Sequence, residues 1–382
     1  MKQVLEAIEA KKTMMLDFLE TLVNIDSGFD NPEGLHQCAE IIGNKLSSLG
    51  FEVEYIRVPD VCTHVLAQKK GKTSKSILLT GHIDTVFLRG TAAARPFMLK
   101  DGRAFGPGVA DMKGGIVTGL FALEALGEHG YLDDKNVTVL FCGDEETGHP
   151  KSNVAEIYER EGQGKDAIFC LEPGRPNGEV VVGRKGIINP SITVKGKAAH
   201  AGVDPEKGAS AIMELANKIC DLQKLTNFEK GILCNVGMIG GGTGPAVIPD
   251  NAYAKLNIRV NEMDDGEQML RAVREIVAKQ YVPGTETTLL DDYFVYPPFV
   301  TTEEVRHLLT IVQEQGRKLG LQEIEGIFTG GGSDVAWATI TGSPAIDGMG
   351  ATGGSMHNDA EWMSVQGLFD RAKLLALSIN AI

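Results

Sequence analysis

The sequence predicts an α/β protein, with a mostly parallel sheet covered by helices on both faces and a smaller α+β domain inserted into it. Three observations carry this reading. Through residue 186, short apolar runs of strand length alternate with helix-period stretches. Between residues 187 and 294 the order changes to β-α-β-β-α-β. After Pro297-Pro298 the first alternation resumes. A chain of 382 residues with 43% hydrophobic residues is long enough for two cores.

Residues 3–24 and 33–49 carry apolar positions at helical spacing, and 51–58 alternate as a strand. Residues 76–79 form a short apolar run that opens onto Thr80-Gly81-His82. Residues 112–128 read as a helix. Residues 137–142 read as a buried strand ending in Gly143-Asp144-Glu145-Glu146, and 167–171 repeat that pattern and end in Glu172. Strands are then expected at 187–196, 231–239, 247–261 and 286–290, with helices at 207–224 and 264–281, the order of a ferredoxin-like α+β domain. The expected division is therefore 1–186 and 295–382 for one discontinuous domain and 187–294 for the insert. The run Gly240-Gly241-Gly242-Thr243-Gly244-Pro245 lacks the Lys-Ser/Thr of a phosphate loop and reads as a turn.

Composition narrows the function. Lys plus Arg number 37 against 51 Asp plus Glu, a net charge of -14, which argues against nucleic acid or an anionic membrane as partner. The first 20 residues carry charges throughout and lack the apolar core of a signal peptide, and no run approaches a membrane span. Six cysteines lie far apart without a CxxC pair and read as reduced thiols. The cytoplasm is the expected location.

The chemistry-bearing residues stand where strands end: His82, Asp84, Asp111, Glu145, Glu146, Glu172 and His357. In an open α/β sheet, ligands bind outside the carboxyl ends of the strands. Buried carboxylates persist only when paired or bound to a cation, and imidazole with carboxylate oxygen suits zinc and related divalent ions.

These residues sit in motifs that resemble, in order, those of the M20 metallopeptidase family. They are Gly81-His82-Ile83-Asp84-Thr85-Val86, the stretch from Gly106 to Gly115 around Asp111, Asp144-Glu145-Glu146-Thr147-Gly148 and Leu171-Glu172-Pro173. Ala199-His200-Ala201-Gly202, Gly330-Gly331-Gly332-Ser333-Asp334 and the late His357 follow. The resemblance implies a zinc-exopeptidase-like main domain with an inserted lid or dimerisation domain. It further implies two Zn2+ per subunit, with Co2+ or Mn2+ as substitutes: His82 and Glu172 on one, Glu146 and His357 on the other, and Asp111 bridging. Glu145 would be the general base, and Asp84 would orient the His82 imidazole. A cis peptide is implied at Asp111-Met112. His200 would donate to the oxyanion, reaching the partner's site in a homodimer, and exposed sheet edges in the insert favour such pairing.

Arg259 matches the family's substrate-carboxylate arginine, and Gly331, Gly332 and Ser333 are expected to line the site. Ala246 departs from the family's usual Asn before Val-Ile-Pro, leaving Arg175, Arg184 and Lys185 as cations available to compensate. The expected activity is hydrolysis of an amide bond in a small peptide or N-acyl amino acid, in carboxypeptidase fashion. Glu rather than Asp at 172 marks that branch in the family, whereas Asp marks aminopeptidases. The alternatives are a di- or tripeptide aminopeptidase and, in a different class, a non-catalytic metal-binding scaffold. A degenerate scaffold would be expected to lack a ligand or the base, and here all are present.

Overall fold

The structure is a computed structural model and describes residues 1–291 and 293–382. The chain forms two compact units. The first comprises Met1–Gly183, Thr301–Phe328 and Ser333–Ile382; the second comprises Arg184–Val300 and Thr329–Gly332. The segment 329–332 belongs to the second unit although it is remote from the rest in sequence, and no periodicity announced it.

The first unit is built on a six-stranded sheet in the order Glu52–Val58, Cys62–Lys69, Asn136–Cys142, Ser76–His82, Ala167–Cys170, Ala345–Ile346. The first three strands pair antiparallel and the last four run parallel. The central strands are buried along almost their whole length, as a sheet covered by helices requires. Helices Gly115–Glu128 and Val365–Ala381 pack together, and Val154–Gly162 packs on Val335–Thr339 as a second pair. Strand Cys62–Lys69 was not anticipated. Pairing with a strand on each side makes the whole segment, Thr63 and His64 included, a buried ladder member. The N-terminal helix breaks at Lys11 into Lys2–Ala10 and Lys12–Val23.

The expected helix at 112–128 begins regularly only at Gly115. Before it, Val109–Gly114 forms a wide turn in which Asp111 and Met112 have non-helical backbone angles, and the Asp111-Met112 peptide is cis. Gly115 has no alternative there: a Cβ would lie 1.9 Å from the Leu171 carbonyl oxygen. That close approach sets the turn carrying Asp111 beside the strand end that carries Glu172.

The second unit is ferredoxin-like. Its antiparallel sheet runs Glu286–Leu290, Ser191–Lys195, Asn251–Val260, Leu233–Gly241, with Gly186–Ile188 and Phe294–Tyr296 continuing beside the end of the long strand. Helices Ala211–Gln223 and Met263–Ala278 bury Leu215, Leu222, Met269, Val273 and Ile276 against Ile192, Val194, Ala254, Leu256 and Ile258. The expected strand at 187–196 is split at Asn189-Pro190, because proline has no N–H to give a ladder. The helix expected from 207 starts at Ala211, where Ser210 caps it by accepting from the Met213 N–H. The strand Leu233–Gly241 takes in the first two residues of the glycine-rich run, and the turn begins only after them. Among the described residues, no helix is long and apolar enough to cross a membrane, and the six cysteines are free thiols.

Candidate metal centre

Three adjacent parallel strands deliver their ends to one place in the first unit. His82 closes Ser76–His82, Glu145 and Glu146 follow Asn136–Cys142, and Glu172 follows Ala167–Cys170. Asp111 comes from the wide turn, and His357 from a later loop, where its backbone sits at φ +60. His82 Nε2 lies 3.1 Å from Asp111 Oδ1 and 3.6 Å from Glu172 Oε1. His357 Nε2 lies 3.1 Å from Glu146 Oε2 and 3.4 Å from Asp111 Oδ2. Two ligand sets result, His82–Asp111–Glu172 and Asp111–Glu146–His357, each with its donor atoms within 4.8 Å of one another. Asp111 turns one oxygen to each set, the arrangement that two neighbouring cations sharing a carboxylate require.

The surroundings orient these groups. His82 Nδ1–H donates to the Asp84 backbone oxygen at 2.9 Å, which directs Nε2 at Asp111 and Glu172. The Asp84 carboxylate stands farther off, at 3.4 Å, because it accepts the N–H groups of Glu145 (3.1 Å) and Glu146 (2.9 Å). Asp84 thus faces the imidazole with its backbone oxygen and, farther off, its carboxylate, and the carboxylate also holds the turn bearing Glu145. Glu361, which the sequence reading passed over, accepts the N–H groups of Gly108, Ala110 and Asp111 at 3.1, 2.8 and 3.0 Å and braces the Asp111 turn. Its only sequence signal was an acid just before an apolar strand.

His149 was also overlooked. It donates from Nδ1 to Asp144 Oδ1 at 2.8 Å and from Nε2 to Asp334 Oδ1 at 2.5 Å. Burial opposes its charge, but Asp334 and Asp144 outweigh burial and hold the ring protonated far above its ordinary range.

Electrostatics test whether a cation fits. Burial pushes Glu145 up to about 8 and raises Glu146 and Glu172 as well, with neighbouring carboxylates adding to the effect. Hydrogen bonds that His357 donates to Asp111 and then to Glu146 lift it to about 10. Among the described residues, Glu146 Oε1 is buried without a hydrogen-bond partner. Crowded, under-satisfied carboxylates facing two imidazole nitrogens suit divalent metal ions.

A pH dependence follows for metal-stripped protein. Acids with raised pKa hold protons that the unfolded chain releases, so folding stability falls as pH rises from 4.5, the ordinary glutamate value, through about 8. His357 acts in the same direction, its contribution being lost as pH climbs from 6.5 through about 10. Asp111, held below its ordinary range, loses its contribution only under more acidic conditions. Added Zn2+ is expected to raise Tm more at mildly alkaline than at mildly acidic pH; equal gains at both would contradict this account.

The remaining expected residues lie mostly in the second unit. Arg259 Nε donates to Asn257 Oδ1 and its Nη1 to the Gly330 oxygen, both at 2.9 Å. Arg184 Nη1 donates to the Gly331 and Gly332 oxygens at 3.2 and 2.9 Å. Gly332 is glycine because a Cβ would lie 2.4 Å from the Tyr296 ring. His200 is exposed, and its Nδ1 accepts the Gly202 N–H at 3.1 Å. Ser333, expected to line the site, is instead fully buried in the first unit. Its hydroxyl contacts Cys170 Sγ and accepts from the Val335 N–H, so its side chain serves packing.

Comparison with known proteins agrees with this geometry. Residues 78–381 match the family described as peptidase family M20/M25/M40. The chain is 29% identical over 379 residues to carboxypeptidase G2 of Pseudomonas sp. (strain RS-16), covering 97% of this chain and 90% of that one. It is 30% identical over 349 residues to a succinyl-diaminopimelate desuccinylase of Gluconacetobacter diazotrophicus, covering 87% of each. The fold is shared with the aminopeptidase PepT of Bacillus cereus, with a TM-score of 0.78 at 22% identity over 97% of this chain and 98% of that one. With the family match spanning most of the chain, this protein belongs to peptidase family M20/M25/M40 and is a metal-dependent hydrolase of the peptidase or deacylase kind.

Proposed function

We propose that the protein is a di-zinc hydrolase that releases an amino acid from a small peptide or N-acyl amino acid in carboxypeptidase fashion. The observation that carries this reading is the pair of ligand sets joined by Asp111. His82 and Glu172 would hold one zinc, Glu146 and His357 the other. Bound there, the metals supply Lewis-acid polarisation of the scissile carbonyl and a more acidic water. Glu145, whose carboxyl burial has made more basic, accepts the proton of the attacking water and returns it to the leaving nitrogen. Arg259 meets the substrate carboxylate with its guanidinium; its Nη2 makes no hydrogen bond among the described residues. The names of the two relatives, a carboxypeptidase and a desuccinylase, support a substrate with an acyl or peptidyl group on an amino acid. A panel of dipeptides, N-acetyl, N-formyl and N-succinyl amino acids and folyl-glutamates, run with metal analysis, tests the reading. Turnover confined to peptides with a free amino terminus would favour an aminopeptidase, and metal without turnover a scaffold.

The working form in this proposal is a homodimer made through the second unit, with His200 acting in trans. The strand Leu233–Gly241 is a sheet edge, paired only with Asn251–Val260 among the described residues. Nearby, Met238 and Ile239 are 54% and 66% exposed, as are Ile212 and Met213 at 45% and 57%. An open edge bearing apolar side chains invites a second copy. Because His200 Nδ1 accepts the Gly202 N–H, the neutral ring carries its proton on Nε2, ready to donate to an oxyanion. His200→Ala is expected to cost roughly 100- to 1,000-fold in kcat without removing metal. Mixing His200→Ala with Glu145→Gln protomers should restore activity, since one site of the heterodimer is then intact. Continued silence after subunit exchange verified by mass would refute action in trans.

A further inference from the structure

The turn Asp144–Gly148 carries Glu145 and Glu146, and Asp84 holds it from one side through two N–H groups. The other side is held by a buried strut. His149 is 9% exposed, and Asp144 and Asp334 are each 3% exposed. Both ring nitrogens lie within hydrogen-bond distance of a carboxylate oxygen, so each carries a proton and the ring is an imidazolium. Asp334 also accepts the Cys142 thiol at 2.9 Å and begins the helix Val335–Thr339 by accepting the Trp337 N–H on its backbone oxygen. The strut therefore ties the turn bearing Glu145 to a helix 185 residues away in sequence.

Cys142, Asp144 and His149, like Cys62, His64 and Asp144, bring potential ligand atoms within 4.8 Å. They are already engaged, however. Both His149 nitrogens and the Cys142 thiol face carboxylates, and His64 Nδ1 accepts the Gly143 N–H at 3.1 Å. The cluster is a hydrogen-bond network whose two buried carboxylates need the cation between them.

We propose that His149 is a positioning residue for amide hydrolysis: bonded at both ring nitrogens, it fixes the Asp144–Gly148 turn and thereby aims the Glu145 carboxylate. This rests on Glu145 being the proton acceptor. The test uses the zinc-loaded protein and the dipeptide or N-acyl amino acid that the substrate panel turns over best. His149→Gln is expected to lower kcat about 10- to 100-fold, the cost of a small misplacement of a reacting group. KM and metal content should match the wild type. In a Glu145→Gln background His149→Gln should cost nothing more, because the strut acts only through the missing carboxylate. Should His149→Gln fail to fold, the isosteric Asp334→Asn carries the same comparison. Wild-type kcat in the single variant, a further loss in the Glu145→Gln background, or a third bound metal in the wild type would overturn the proposal. Wild-type turnover by Glu145→Gln alone would instead remove the reading on which it rests, so the two failures are distinguishable.

Discussion

Glu145→Gln is expected to retain both metals and to lower kcat by about two to four powers of ten. The amide keeps the shape of the carboxylate and can still sit among the same neighbours, but it cannot accept a proton. Glu145 belongs to neither ligand set, so its loss leaves His82, Asp111, Glu146, Glu172 and His357 in place. KM should change little, because the interaction lost is made in the transition state. A wild-type kcat–pH profile should fall toward acid as Glu145 takes up its proton, and that limb should vanish in the variant. Near wild-type turnover with full metal would end the assignment.

Asp111→Ala has the second large expected effect. Asp111 is the one residue shared by both ligand sets, with Oδ1 toward His82 and Oδ2 toward His357. Its removal should lower occupancy of both metals together and abolish measurable turnover. His82→Ala and His357→Ala should each weaken mainly one. Metal content by mass spectrometry under native conditions, compared across the three variants, checks this. Two full equivalents in Asp111→Ala would show that the carboxylate does not bridge. Loss of metal should also lower Tm, because the crowded carboxylates Glu146 and Glu172 then lack a counter-charge.

Local patterning determined much of this protein. Apolar runs ending in His82, in Glu145-Glu146 and in Glu172 already implied strands that release ligands at one end of a sheet, since strand length and burial are read from a few adjacent residues. The ferredoxin-like order of the second unit was legible for the same reason, down to the strand Glu286–Leu290. Tertiary structure alone decided what depends on contacts between distant segments. It drew Cys62–Lys69 into the sheet despite its polar residues and buried Ser333 against Cys170. It gave the Asp84 carboxylate the Glu145 and Glu146 N–H groups to hold as well as the His82 ring to face. It set Glu361 under a turn 250 residues away and closed Asp334 on His149. A carboxylate's partner is chosen by which donors burial leaves unsatisfied around it, and that competition is settled by packing in space, not by spacing along the chain.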